Sequence, residues 1–175
     1  SGWGRWRRNR AKPLHYADYE NLNMLLASVV EVSAEDSLGG GIIFRNGETT
    51  KDGSLNGATP AYPTVYNWRL REGRFITAGD VDASAKVAVL GAQIAYDLFG
   101  DLSPVGAEIV AIQEKGGRER GEGTRSESLR LVVVGVMEEK GAAASTDGWD
   151  DRVFMPLTAF HKRIKGNRDL ARLRI

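Results

Sequence analysis

Short apolar blocks, each closed off by glycine, run from Trp68 to Gly106: Trp68-Arg69-Leu70-Arg71-Glu72-Gly73-Arg74-Phe75, Val87-Ala88-Val89-Leu90-Gly91, Leu98-Phe99-Gly100 and Pro104-Val105-Gly106. Val134-Gly135-Val136 and Val153-Phe154-Met155-Pro156-Leu157 continue the series. Gly and Pro at these places are turn and cap residues that bracket short strands. They specify a fold, and the series contains no cluster of nucleophile, base or metal ligands. A chain of 175 residues makes one domain or two small subdomains and is long enough to bury a core.

Composition excludes several classes. An apolar content of 42% and a charged content of 27% belong to an ordinary globular chain. No run approaches the ~20 apolar residues of a membrane helix, and no signal-peptide stretch stands at the start. Zero cysteines exclude disulfides and thiolate metal sites while fitting either redox compartment. A net charge of +1 gives no global field that would draw nucleic acid or anionic lipid.

Periodicity lays out the elements. Residues 13–26 are expected to be helical, because His15, Tyr19, Leu22 and Leu26 share one stripe; Asp18 lies three residues after His15, where a capping-box acid would sit if His15 were Ser or Thr. Residues 29–33 alternate and favour strand. Asn46-Gly47, between residues 42–45 and a run ending near Leu55, is a type I′ hairpin signal. Pro60 and Pro63 interrupt the pattern around Tyr62, Tyr66 and Trp68. Residues 86–90 are expected as a strand, and 92–99 as a helix ended by Gly100 in a left-handed conformation. Residues 109–112 and 129–137 are strands joined by 113–128. That Gly-, Arg- and Glu-rich connection is too polar to offset its ordering entropy. It is expected as a mobile loop or a protruding two-stranded hairpin. Residues 142–151 form another loop. Residues 153–157 are an edge strand or a strand that stops at Pro156. A short helix at 157–164 and a strand at 170–175 follow.

The candidate sites are few. Arg5, Arg7, Arg8, Arg10 and Lys12 crowd beside Trp3 and Trp6. Such an arm fits stacking and phosphate contacts on single-stranded nucleic acid, or a segment at a membrane surface, where tryptophan prefers the interface. No nucleic-acid-binding motif follows it, and no nucleic-acid partner is expected. Asp147, Asp150 and Asp151 lack the spacing and distal glutamate of a calcium loop. Gly39-Gly40-Gly41 lacks the Lys-Ser/Thr of a P-loop and reads as a turn. His15 and His161 are the only histidines, and no G-x-S-x-G elbow accompanies them. They are expected to be structural or at the surface. An enzymatic reading requires a cleft that brings one of them near an acid and a hydroxyl. No catalytic, cofactor-binding or metal residue is assigned, and no cofactor is expected. Tyr62, Tyr66 and Trp68 leave two readings open. One is an exposed patch that contacts peptide, glycan or lipid, making the chain a stand-alone binding module. The other is packing between two lobes, along a segment stiffened by Pro60 and Pro63.

Read in order with Gly57-Ala58-Thr59-Pro60-Ala61-Tyr62, Asp80-Val81 and Pro156-Leu157, the glycine-punctuated series resembles the extracytoplasmic core domain of MacB-like permeases. Those permeases belong to ABC transporters of the MacB/FtsX-like superfamily. Each block is short; their order and spacing carry the resemblance, which covers residues 13–175. It implies an α+β fold and a two-lobed extracytoplasmic domain. A porter-like βαβ lobe, similar to that of RND efflux pumps, would comprise residues 1–57 and 153–175. A small α/β lobe, Sabre-like, would be inserted at residues 58–152. The sequence departs from the pattern in the insertion between residues 112 and 129. It also stops at the strand 170–175, where the porter-like lobe of the family continues, which is expected to expose a sheet edge.

The resemblance further implies that the domain lies on the periplasmic side of the inner membrane and is not an enzyme, ATP hydrolysis residing in a separate cytoplasmic domain or subunit. The implied partners are a second permease subunit, in a homodimer or related heterodimer, a cytoplasmic ABC ATPase, a periplasmic adaptor and an outer-membrane channel. The implied role is to relay ATP-driven motion outward for export or efflux.

Overall fold

A computed structural model describes residues 12–26, 28, 30–38, 41–115, 125–141, 148–166 and 170–175. The N-terminal arm through residue 11, Gly39, Gly40, Asp147 and the tip 116–124 lie outside the described residues. The elements follow as α1 (Tyr16–Leu26), β1 (Ser33–Ser37), β2 (Ile42–Asn46), β3 (Thr49–Ala58), α2 (Tyr62–Val65), β4 (Leu70–Gly73), α3 (Ala78–Ala83), β5 (Val87–Leu90), α4 (Ala92–Phe99), β6 (Glu108–Lys115), β7 (Arg125–Met137), β8 (Arg152–Pro156), α5 (Leu157–Phe160) and β9 (Arg172–Arg174). A π turn, His161–Lys165, extends α5. The fold is α+β.

Strand pairing runs β2-β6-β7-β5-β8-β3 and then returns, because β3 also pairs with β2. Six strands therefore close into a ring. β3 makes the closure possible by changing partners along its length. Its first half pairs antiparallel with β2, from Asn46↔Thr49 to Ile42↔Gly53. Its second half pairs parallel with β8, from Ser54↔Arg152 to Ala58↔Pro156. On the side β2 has left, β1 takes over (Ser37↔Asn56 to Glu35↔Ala58), and β9 pairs with β1 in turn. The ring uses strands from both sides of residues 57/58 and 152/153.

One buried cluster takes Ile42, Phe44, Leu55, Leu90, Ile109, Leu131 and Val153 from all six ring strands and joins them to Ile94, Ala95 and Leu98 of α4 and Phe160 of α5. The opposite faces of β5 and β8 are buried as well. Val89 and Phe154 face each other across the pair and pack with Tyr62, Trp68, Phe75 and Met137. Two-sided burial explains why 87–90 and 153–155 read as unbroken apolar runs. A third cluster sets Tyr19 of α1 against Val32, Ala34, Leu157 and Leu170, with Leu22 and Leu26 beside it. The helical stripe read from Tyr19, Leu22 and Leu26 therefore faces the protein, and Asp18 Oδ2 accepts the His15 N–H at 2.8 Å.

Several expectations change in detail. The strand expected at 29–33 lies at β1 instead, four residues later at its start. The central hairpin residues are Gly47 and Glu48, and only Gly47 has positive φ, at 59°. That is the II′ sense, not the I′ sense. Gly100 has φ 62° with ψ −132°, which is not the left-handed helical region expected of it. β8 is an interior strand that stops at Pro156, not an edge. The helix expected at 157–164 is one α turn continued by the π turn. β6 and β7 stay paired out to Lys115↔Arg125, past the β2 partner of Gln113, as the protruding hairpin reading requires.

The Gly73 and Gly135 of the sequence series sit opposite each other across β4 and β7. A Cβ on Gly135 would lie 2.1 Å from the Arg74 carbonyl oxygen, and one on Gly73 2.2 Å from that of Val134. Both obstacles are backbone, held by the Arg74 N–H to Val134 O bond of 2.9 Å. A few residues on, Thr77 and Asp80 form a reciprocal capping box at α3. Arg74 Nη1 donates to Asp80 Oδ2 at 2.6 Å. Gly73-Arg74-Phe75 and Asp80-Val81 are thus one folded corner.

Two outcomes are expected. Gly135→Ala destabilises by more than ~2 kcal/mol, because backbone strain of this kind has no cheap relief. Thermal unfolding reads this as a drop of roughly 4–8 °C for a chain of this size, and an unchanged midpoint would contradict the close approach. By contrast, replacing residues 115–125 with Asn-Gly joins Glu114 to Ser126, which already face each other. The unfolding midpoint is expected to stay where it is. A loss above ~2 kcal/mol would mean that the segment packs on the fold.

Candidate functional site

The aromatic segment is built by its prolines and their neighbours. Pro63 stands at the start of α2, and Asn67, at φ 48°, turns the chain out of it toward β4. Tyr62 and Trp68 are 1% and 3% exposed, and Tyr66 is half-buried. Ring centroids of Tyr62 lie 4.4 Å from Tyr66 and 4.8 Å from Phe154. Trp149, which the sequence reading did not single out, meets Tyr66 and Trp68 edge-on at 5.3 and 5.4 Å. Such pairs contribute about 0.5–1.5 kcal/mol each beyond area burial.

The polar ends of Tyr62, Tyr66 and Trp68 are engaged. Trp68 Nε1 donates to Glu138 O at 2.7 Å, Arg152 Nη1 donates to the Tyr62 hydroxyl at 3.1 Å, and Tyr66 donates to Glu35 Oε1 at 2.5 Å. Burial pushes the Tyr62 hydroxyl well above the usual tyrosine range and also raises that of Tyr66. Arg152 stacks on Trp149 at 4.0 Å, and Lys140 lies over Trp68 and Trp149 while donating to Tyr66 O at 2.9 Å. From β9, Arg174 covers Tyr66 at 5.0 Å and Arg172 pairs with Glu35 at 3.3 Å. Tyr62 and Trp68 have no surface to offer a ligand. The patch is a packed seam, and the exposed binding surface considered for it is corrected accordingly.

A second constellation was not anticipated. Asp36 on β1 is 2% exposed and His161 at the start of the π turn is 5% exposed. His161 Nε2 lies 3.1 Å from Asp36 Oδ2, and Lys165 Nζ donates to the same oxygen at 2.6 Å. The Ser37 N–H donates to Asp36 Oδ1 at 2.9 Å. Burial by itself would raise the Asp36 pKa. Hydrogen bonds from His161, Lys165 and the Ser37 amide outweigh it and hold the carboxyl below its ordinary value. The wider turn after Phe160 presents His161 and Lys165 together to one carboxylate. No sequence signal marks Asp36, which sits in the polar run Ser-Ala-Glu-Asp-Ser.

A cleft of about 480 Å³, lined by Tyr16, Glu20, Asp82, Ser84, Thr158 and His161, adjoins this node. An Asp–His pair does acid–base chemistry only with a reacting group in reach. The nearby Thr158 hydroxyl donates to Val81 O at 2.5 Å, and among the described residues no hydroxyl is bonded to His161. The node is therefore a structural clamp between β1 and the turn after α5. His15 is exposed at the head of α1. Asp150 Oδ1 accepts the Lys140 N–H at 2.9 Å. Burial raises the Asp151 pKa, with Lys51 opposing it and Asp97 and Asp150 adding to it. Among the described residues, no three His, Asp or Glu side chains converge as a metal site.

Comparison with known proteins adds what geometry does not. The family described as MacB-like periplasmic core domain matches residues 2–173. The macrolide export ATP-binding/permease protein MacB of Rhodospirillum rubrum is 34% identical over 149 residues, covering 85% of this chain and 20% of that protein. The pyoverdine export ATP-binding/permease protein PvdT of Pseudomonas aeruginosa is 29% identical over 131 residues, covering 75% of this chain and 18% of that protein. The chain thus spans about a fifth of the length of these curated relatives. Among solved structures, the periplasmic region of MacB from Actinobacillus actinomycetemcomitans superposes with a TM-score of 0.71 at 21% identity, over 99% of this chain and 69% of that one. The extracellular domain of the noncanonic ABC-type transporter YknZ from Gram-positive bacteria gives 0.67 at 21% identity, over 92% and 71%. At that identity the two structures speak for the fold.

The Asp36 clamp has a pH signature. A carboxyl whose folded pKa is depressed contributes stability that is present above the unfolded value of ~3.9 and is lost as pH falls through the folded pKa. Asp36→Asn is expected to cost about 3 kcal/mol at neutral pH, the scale for breaking a buried pair. It should also shrink the acid-induced loss below pH ~4. Urea unfolding at pH 7 and at steps down to pH 2 checks both. An acid dependence identical in the two proteins would contradict the clamp.

Proposed function

This chain belongs to the MacB-like periplasmic core domain family, and from that premise we propose that it relays ATP-driven motion of an ABC transporter permease to the extracytoplasmic side for export. The family match over residues 2–173 carries the reading. The relatives named as macrolide and pyoverdine exporters agree with it. Among the described residues no helix is long and apolar enough to cross a membrane, so in this reading the membrane helices and the ATPase belong to other parts of the transporter. The domain carries no chemistry of its own. Its partners are a second permease subunit, as homodimer or related heterodimer, a cytoplasmic ABC ATPase, and a periplasmic adaptor leading to an outer-membrane channel.

A relay must move as a body without absorbing the movement. A closed ring around one buried core, with β1 paired to β3 and tied through Asp36 to the turn after α5, fits that demand. The two-lobe division is part of the same proposal. β3 ends and β8 begins where the porter-like lobe (1–57 and 153–175) would meet the inserted lobe (58–152), so these two strands would be the joint.

The 175 residues carry no cysteine, so a cysteine placed among them is the domain's single labelling site once any elsewhere in the transporter have been replaced. Met24 and Leu102 are 79% and 77% exposed and accept spin labels through single cysteine substitutions in the full-length transporter. The distance from Met24 to Leu102 within one protomer is expected to be the same with ATP and with ADP. Distances between protomers are expected to change. ATP turnover with unchanged distances between protomers would overturn the relay.

A further inference from the structure

The two ends of the six-strand ring differ. At the end marked by Asn46, α4 enters the ring, and Asn46 Nδ2 donates to Leu98 O at 3.1 Å. Ile94, Ala95 and Leu98 fill the interior there. At the other end stands the π turn that follows α5, with Phe160 in the ring core and Ile164 packed against it. A cleft of about 410 Å³ opens between β2, β3, β6, β7 and the π turn. Its volume lies within the ~300–1,000 Å³ of small-molecule sites, which favour the mouths of β-barrels.

The chemistry of the cleft is graded from floor to rim. Ile42, Leu55 and Ala111 form the floor, and all three belong to the ring core. Leu129 and Ile164, half-buried, form walls that continue the apolar surface upward. At the rim stand Lys162 and Arg163, both exposed. Neither has a hydrogen bond or ion pair among the described residues, whereas Glu127 on the facing rim is already engaged. The π turn gathers these groups, because three consecutive residues, Lys162, Arg163 and Ile164, face the same opening. Wide turns of this kind recur at functional sites.

We propose that the open end of the ring binds a small single-chain amphiphile with an anionic headgroup. The chain lies on Ile42, Leu55 and Ala111 between Leu129 and Ile164, and the headgroup meets Lys162 and Arg163. An apolar floor without a charged rim would accept any greasy body. Two cations at the lip, without a partner among the described residues, select the anion, since a charge-assisted contact is stronger than a neutral one and a cationic head would be repelled. The site is independent of the relay reading, because it is a property of the isolated chain and needs no membrane, ATPase or partner.

The probes are decanoate, decanol and decyltrimethylammonium, each below micelle formation, titrated into the 175-residue chain by calorimetry and by amide NMR. Decanoate is expected to bind saturably at one site, at least tenfold more tightly than decyltrimethylammonium. Amide shifts should concentrate at Ala111, Leu129 and Ile164. The double variant Lys162→Glu, Arg163→Glu alters exposed side chains only. It is expected to reverse the preference between the anionic and cationic probes while changing decanol binding by less than threefold. Leu129→Trp narrows the cleft and is expected to weaken all three probes. Equal affinity for anion and cation, shifts scattered away from the cleft, an unchanged preference in the double variant, or no saturable binding would each overturn the proposal.

Discussion

The double pairing of β3 is the constraint on which the other elements depend. A strand of ten residues hydrogen-bonded to β2 along its first half and to β8 along its second brings the start and end of the sheet together. Closure pairs the ring strands on both sides and leaves β4 and β9, each with one partner, as edge strands. It also decides what lies inside. Once the ring closes, alternate residues of six strands must converge on a small interior, and α4 supplies the side chains that fill it. The same geometry frees a second side of β3 for β1, so the peripheral layer of α1, β1 and β9 is attached through the strand that closes the ring.

Two unlike contacts hold that periphery. The seam around Tyr62, Trp68 and Trp149 is apolar and cationic, with Arg152, Arg172 and Arg174 reaching across it and Glu35 accepting from Tyr66 and Arg172. The Asp36 clamp is a buried carboxylate under three donors and depends on its ionisation. A buried ion pair adds little net stability compared with a well-packed apolar alternative, but losing one member is costly. Its contribution here is to specify how the turn after α5 sits on β1. Phe160, next to His161, and Leu157, four residues before it, belong to the ring cluster and to the cluster of α1 respectively, so the clamp fixes the place where the buried clusters meet.

What the sequence disclosed follows from which forces are local. α4 is legible to the residue, because Ile94, Ala95 and Leu98 recur at helical spacing and Gly91 and Gly100 bound it. β5 and β8 are legible because burial on both faces leaves unbroken apolar runs. β1 is not. The apolar alternation at 29–33 suggested a strand, yet the paired segment is Ser-Ala-Glu-Asp-Ser, selected by the partners β3 and β9 and by a carboxylate that faces inward. Val32, from the expected strand, is buried without being paired. The Thr77–Asp80 capping box is local, three residues apart, though the sequence reading did not single it out, whereas Asp36 lies more than a hundred residues from His161 and Lys165, and no window of sequence contains them.

The residues that carry the family resemblance share one physical character. Gly73 and Gly135 permit two backbones to approach, Asp80 caps α3 and binds Arg74, Pro156 ends β8, and Tyr62 fills the seam. Each is a solution to a packing problem, and together they explain how a family can be recognised over a whole domain without one reacting group in common. Selection that acts on shape in this way leaves ligand chemistry to positions outside the motif. The lip of the ring fits that division. Lys162, Arg163 and Leu129 lie outside the recognised blocks, on a wide turn and a strand whose backbone is fixed by the ring, and the exposed side chains of Lys162 and Arg163 answer to no packing demand.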